Sequence, residues 1–207
     1  MDRQRENVRQ RGMLYLILDM EQNWKQVLSE IPLELCSFVQ LRNKEATDDQ
    51  MLLWGEEIQQ MLPASVRLII NDRVNVARVL GVGVHLGMED MKPDQARKLL
   101  GHQATIGLTI HNLVDLAVQY KDQIDYVGVG PVFPTLTKKD AKTVLGTGQL
   151  KIVYENSPVP VVAIGGINLQ NCHEVWDTGV EQIAVCSAIM KATNPRQAAF
   201  DLQKKIE

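Results

Sequence analysis

Several things are scarce in this 207-residue chain. It holds three cysteines, Cys36, Cys172 and Cys186, an odd number set far apart, which excludes a disulfide framework and lacks the paired spacing of a zinc or redox motif. They read as reduced and mostly buried. No apolar run approaches the roughly 18 residues of a membrane span, so no membrane partner is expected. Positive charge is not in excess either: 22 Lys and Arg stand against 25 Asp and Glu, for a net charge of −3 and a pI near 5.8. A chain so balanced has no spare basic surface to neutralise a phosphate backbone, and nucleic acid is not an expected partner. Any anion would be held by local groups. The first eleven residues are highly charged and no apolar stretch follows them, so a secretory leader is not expected and the cytoplasm is the expected compartment. Low-complexity tracts, linkers and residue-level repeats are missing as well.

What is present is enough apolar material for one core, with 45% hydrophobic residues in a length short for two domains. A single domain over residues 13–207 is expected, preceded by a polar extension over residues 1–12. Short apolar runs rich in β-branched residues alternate with longer amphipathic stretches, the pattern of parallel strands buried on both faces and joined by helices. The runs are Leu14–Asp19, Phe38–Leu41, Val66–Ile70, Val82–Leu86, Ala104–Leu108, Tyr126–Val129, Val159–Ile164 and Gln182–Cys186. Helices are predicted at Asp48–Met61, Pro93–Leu100, Asn112–Tyr120, Leu169–Thr178 and Pro195–Ile206, several opening on a proline or a cap such as Asn168 or Asn194. Eight strands alternating with helices suit a closed (β/α)8 TIM barrel better than the alternative, an open doubly wound sheet. In a barrel, reactive residues belong just after each strand, at its C-terminal end.

Polar residues do collect there. The second strand leads into Gln40-Leu41-Arg42-Asn43-Lys44, where the fixed fork of an arginine and the movable charge of a lysine together suit a diphosphate. An exposed charged turn is the plainer reading. The third strand ends in Asn71-Asp72, and the fourth in His85-Leu86-Gly87-Met88-Glu89-Asp90. Asp72 and Asp90 on adjacent strand ends, beside cations, make sense if Mg²⁺ bridges them to phosphate oxygens, since that ion takes one or two carboxylates with water and substrate oxygens. Each singly could instead cap the helix that follows. Thr109 and His111 stand at the end of the fifth strand, the histidine serving either structure or chemistry. After the sixth, Gly128 and Gly130 admit close approach, Pro131 and Pro134 stiffen the exit, and Thr135-Leu136-Thr137-Lys138 offers hydroxyls and an ammonium for an oxyanion. Gly165-Gly166 after the seventh strand and Cys186-Ser187 after the eighth form the usual phosphate site of the fold.

Taken in order, Gln40-Leu-Arg-x-Lys44, Asn71-Asp72, His85-Leu-Gly-x-Glu-Asp90, Tyr126-Val-Gly-Val-Gly-Pro-Val-Phe-Pro-Thr-x-Thr-Lys138, Ala163-Ile-Gly-Gly-Ile167 and Ser187-Ala-Ile189 resemble the thiamine-phosphate synthase family, over the span from Leu14 to the last helix. The resemblance implies a transferase that couples a hydroxymethylpyrimidine diphosphate with a thiazole phosphate, giving thiamine phosphate and pyrophosphate. It implies a pyrimidine diphosphate site on Gln40, Leu41, Arg42, Asn43, Lys44, Asn71, Thr109 and Lys138, magnesium on Asp72 and Asp90, and a thiazole phosphate site on Thr135, Leu136, Thr137, Gly166, Cys186 and Ser187. Arg42, Lys44 and Lys138 would be the catalytic cations that stabilise the departing diphosphate. Thr109 stands where the family carries serine, Met88 where it carries glutamine, and Cys186 where it carries an aliphatic residue. The related thiazole tautomerase, with a histidine at the His111 position, would not need the diphosphate equipment. A non-catalytic phosphate-ligand regulator on the same barrel is a third reading. Small phosphorylated molecules are the expected partners and a homodimer the expected assembly.

Overall fold

A computed structural model describes residues 14–20, 23–111, 118–135 and 143–206. Its eight strands are β1 (Leu14–Asp19), β2 (Cys36–Arg42), β3 (Arg67–Asn71), β4 (Gly83–Leu86), β5 (Ile106–Ile110), β6 (Tyr126–Val129), β7 (Val161–Ile164) and β8 (Gln182–Val185). All pair in parallel with their sequence neighbours, and β1 pairs with β8, which closes the barrel. Among the described residues the helices are α1 (Trp24–Glu30), α2 (Asp48–Met61), α3 (Val74–Leu80), α4 (Pro93–Leu100), α5 (Gly146–Asn156), α6 (Cys172–Trp176), α7 (Ser187–Met190) and α8 (Pro195–Ile206). The doubly wound alternative is therefore set aside. None of these helices is long and apolar enough to cross a membrane.

The period of two along each strand sorts the side chains into two compartments. Leu14, Leu16 and Leu18 of β1, with Val39 and Leu41 of β2, point outward and join the large cluster under the helices. Tyr15 and Ile17, with Phe38, Ile69, Tyr126, Val162 and Ala184, point inward and fill the lumen as a separate small cluster. Three of the chain's few aromatic rings meet there, Tyr15, Phe38 and Tyr126, at centroid separations of 5.2, 5.9 and 5.7 Å. The lumen is thus plugged from below, and what lies above the plug on the same inward rows opens at the strands' C-terminal ends.

Local chemistry explains where the elements start and stop. Thr47 caps α2 by accepting the Gln50 amide at 3.3 Å, and Asp48 and Asp49 place negative charge in its first turn. Pro93 opens α4 and Pro195 opens α8, the latter capped by Asn194, whose Oδ1 accepts the Gln197 amide at 2.9 Å. Leu169–Thr178 was expected as one helix, yet α6 is shorter. Asn168 Oδ1 takes the Gln170 amide and Asn171 Oδ1 takes the Asn168 amide, so these side chains build a turn in place of a first helical turn. The fifth strand also runs two residues later than its apolar run suggests, because Arg97 draws off the Ala104 carbonyl and Asp125 takes the Ile106 amide as the strand begins. Thr109 consequently lies within β5. The Asn112–Tyr120 helix falls largely outside the described residues, and its described end is a 3₁₀ turn at Val118–Tyr120.

Candidate active site

A cavity of about 310 Å³ opens at the C-terminal end of the barrel, within the size range of small-molecule sites. Gln40, Arg42 and Lys44 reach it from β2 and its exit, Asn71 and Asp72 from β3, Asp90 from the loop after β4, and Thr109 and His111 from β5. Thr135, Gly166, Cys186 and Ser187 line its other side. Twelve of the residues singled out in the sequence therefore share one pocket, drawn from segments as distant as β2 and α7.

Five do not follow them. Leu41 is fully buried among the outward-facing core residues. Asn43 turns its side chain into its own loop, where Oδ1 accepts the Glu45 and Ala46 amides at 2.8 Å each. Leu41 flanks inward-facing residues on an alternating strand, so a ligand could meet it only through the backbone. Leu136 and Thr137 lie outside the described residues, as does Lys138.

The electrostatics concentrate on Asp72. Burial and a hydrogen bond with the neighbouring Asp90 carboxylate push its pKa from 3.8 up to about 6, against the opposing pull of Lys44 and Arg42. Its backbone sits in the left-handed region at φ 63, unusual for a side-chain-bearing residue. It does not cap α3, where Arg73 holds the N-cap position and makes no side-chain cap, so the plain reading of Asp72 as a capping residue fails. Asp90 is held in place by the Gly87 amide, which donates to its Oδ2 at 2.7 Å. Two acceptor groups in contact, one reluctant to ionise, form the donor set that a divalent cation relieves. Mg²⁺ fits these residues. Arg42 in turn is steered by Asp19, at 3.7 Å across the β1–β2 pairing.

On the opposite rim the backbone is drawn tight. A Cβ on Gly165 would lie 2.5 Å from Pro131 Cα, and one on Gly166 would lie 2.5 Å from the Pro134 carbonyl oxygen, so only glycine lets the β7 exit lie against the segment before Thr135. Asn168 and Asn171 both donate side-chain amides to the Gly166 carbonyl, at 3.2 and 3.0 Å, and fix the peptide that follows. Burial raises the Cys186 thiol to about 11, so it is not poised as a nucleophile. His111 shares a hydrogen bond of 2.8 Å between Nδ1 and the Gly130 carbonyl. A carbonyl can only accept, so that nitrogen carries the hydrogen. The sequence reading gave no role to Tyr15 or Tyr126, which lie beneath the pocket, or to His85, which lines it. The inward parity of Tyr15 and Tyr126 with Ile17 and Gly128 was the signal available for them.

Comparison with known proteins identifies the family. A family model described as thiamine monophosphate synthase matches residues 14–189. The chain is 42% identical over 167 residues to a thiamine-phosphate synthase of Psychrobacter sp., covering 79% of this chain and 78% of that protein. It is 38% identical over 201 residues to that of Methanobrevibacter smithii, covering 94% and 95%. Among solved structures, a thiamine phosphate pyrophosphorylase from Pyrococcus furiosus superposes with a TM-score of 0.84 at 35% identity, covering 94% of this chain and 95% of the other. With a closed parallel barrel, a pocket at its C-terminal mouth and these relatives across nearly its whole length, the chain belongs to the thiamine monophosphate synthase family.

Proposed function

We propose that the chain joins 4-amino-2-methyl-5-hydroxymethylpyrimidine diphosphate to thiazole phosphate, releasing pyrophosphate and thiamine phosphate. The observation that carries this reading is the Asp72–Asp90 carboxylate contact beside Arg42 and Lys44, in the same cavity as Thr135, Gly166 and Ser187. One end of the cavity suits a diphosphate and its metal; the other suits a monophosphate.

The reaction breaks the bond between the pyrimidine methylene carbon and the diphosphate oxygen, and the electron pair leaves with that oxygen. The thiazole nitrogen then supplies its lone pair to the methylene carbon. Neither step needs a protein nucleophile, consistent with a thiol held protonated at Cys186. The chain's task is to bind the leaving charge, line up two rings and exclude water. Arg42 and Lys44 line the cavity, and Lys138, a few residues after Thr135 in the sequence, would join them on the diphosphate. Asp72 and Asp90 would hold Mg²⁺, which when bound supplies positive charge against the departing diphosphate oxygens. Thr135, Thr137, Gly166 and Ser187 would hold the thiazole phosphate. Asn71 and Thr109 would orient the pyrimidine. The same reading places the enzyme in the cytoplasm, since its charged substrates would not cross a bilayer unaided.

The decisive experiment incubates the purified protein with both substrates and Mg²⁺ and follows pyrophosphate and thiamine phosphate. Equal release of the two is expected. Isomerisation of the thiazole without pyrophosphate would make it a tautomerase, and binding without turnover a regulator.

A further inference from the structure

Beneath the pocket, a chain of five polar side chains crosses the lumen and connects two pocket residues from different strands. Gln40 Nε2 donates to the Tyr15 hydroxyl at 2.8 Å. The Tyr15 and Tyr126 hydroxyl oxygens lie 2.7 Å apart, Tyr126 reaches His85 Nδ1 at 3.0 Å, and His85 Nε2 reaches Thr109 Oγ1 at 2.7 Å. The two tyrosines are 1% and 0% exposed, so no ligand touches them, while Gln40, His85 and Thr109 line the pocket. Glycines keep the path open. A Cβ on Gly107 would strike the Tyr126 ring and hydroxyl and lie 2.5 Å from His85 Nδ1, and one on Gly128 would lie 3.0 Å from His85 Cε1.

Counting hydrogens gives the chain a direction. Burial pushes both phenols above their ordinary range, so each oxygen has one hydrogen to donate. Tyr15 receives from Gln40 and so donates to Tyr126. Tyr126 donates to His85 Nδ1, which must therefore be the lone-pair nitrogen. The imidazole hydrogen then sits on Nε2 and goes to Thr109 Oγ1. At the two ends, Thr109 has its own hydrogen to offer the pocket, and Gln40, one of whose two amide hydrogens goes to Tyr15, is fixed in the flip that turns its carbonyl oxygen away from that tyrosine. Reversing one link alone would set two hydrogens or two lone pairs against each other in a buried space, so the links reverse together or not at all.

We infer that Tyr15, Tyr126 and His85 are positioning residues that impose an acceptor at Gln40 and a donor at Thr109, and so select a pyrimidine bearing an amino group over its oxo counterpart. An amino group donates and the ring nitrogen next to it accepts. The oxo form inverts both, with an exocyclic acceptor beside a ring N–H. The chain of hydrogen bonds stands on the geometry alone, whereas the aminopyrimidine rests on the function proposed above.

Tyr126→Phe keeps the ring and removes both links, and Tyr15→Phe cuts the same chain elsewhere should the first variant fold poorly. For either, KM for the aminopyrimidine diphosphate should rise about 10-fold, KM for thiazole phosphate should stay within about 2-fold, and the preference for the amino over the 4-oxo substrate should fall about 10-fold. Long-range ¹H–¹⁵N spectra of the ligand-free protein should show His85 as the Nε2–H tautomer in the parent and lose that bias in Tyr126→Phe. A parent His85 with its hydrogen on Nδ1 overturns the inference even in an active enzyme. So does equal weakening of both substrates, or an unchanged amino-to-oxo preference. A parent with no coupling activity but the expected tautomer, lost in the variant, overturns the function and upholds the relay.

Discussion

The two ends of the barrel treat charge in opposite ways. At the N-terminal end, Arg97 of α4 donates to the carbonyls of Gln123, Gly101 and Ala104 and pairs with Asp125 at 2.8 Å. Asp125 Oδ2 also accepts the Ile106 amide at 2.8 Å. Both charges are mostly buried, and each finds several partners within the chain. At the C-terminal end, Asp72 sits in the left-handed region against a second carboxylate, with a pKa lifted to about 6. A closed set of partners holds the fold together, whereas two carboxylates in contact are retained at the mouth of the pocket, where perturbed groups mark functional sites. Stability and function should therefore come apart under mutation and changes of solution.

The largest expected effect is on the metal. Chelation of divalent cations with EDTA should abolish pyrophosphate release, and added Mg²⁺ should restore it, while the circular dichroism spectrum is unchanged. Lys138→Ala and Asp72→Asn come next. Each should lower kcat about 10²–10³-fold, the usual cost of one preorganised charge contact, with a thermal midpoint no lower than that of the parent. Near-parent turnover in a well-folded variant would remove that residue from the mechanism. Asp125→Ala should do the reverse. It strands Arg97 and the Ile106 amide, so urea unfolding should show a loss of about 2–3 kcal/mol, with KM for both substrates preserved in the folded fraction.

The smallest expected effect is a pH dependence at Asp72. Its folded-state pKa is raised, so between the ordinary 3.8 and about 6 the folded chain holds a proton that the unfolded chain has released. Metal-free stability from this group is therefore lost as pH rises through 6. Asp72→Asn lacks that titration, so its melting temperature should exceed the parent's by more at about pH 7.5 than at about pH 5. A gap that narrows with rising pH would contradict the burial of this carboxylate.

How legible all this was varied with the kind of interaction involved. The eight strands were visible because each is a short apolar run, and Tyr126–Val129 and Leu14–Asp19 begin and end where the run does. Boundaries moved where a side chain from another element took a backbone partner, as Arg97 and Asp125 do at the start of β5. Within the site, Gln40 and Arg42 converge because they share one parity of an alternating strand and Lys44 reaches the pocket from that strand's exit, while Leu41 turns outward by the same rule. Asn43 was read with its charged neighbours, but an asparagine two and three residues before free amides closes its own turn first. The relay was illegible. Gln40 and Tyr15 are 25 residues apart, Tyr15 and Tyr126 are 111 apart, and no local pattern marks such partners.

By itself, the sequence determined the barrel, the ends of its strands that bear chemistry and the family to which the chain belongs. These depend on the alternation of apolar runs and on short motifs, both written in neighbouring residues. Tertiary structure alone decided that Asp72 meets Asp90 rather than capping a helix, that Asn43 serves its loop, and that a hydrogen-bonded line through the lumen ties Gln40 to Thr109. Each depends on distances between strands remote in sequence, which exist only once the barrel has closed.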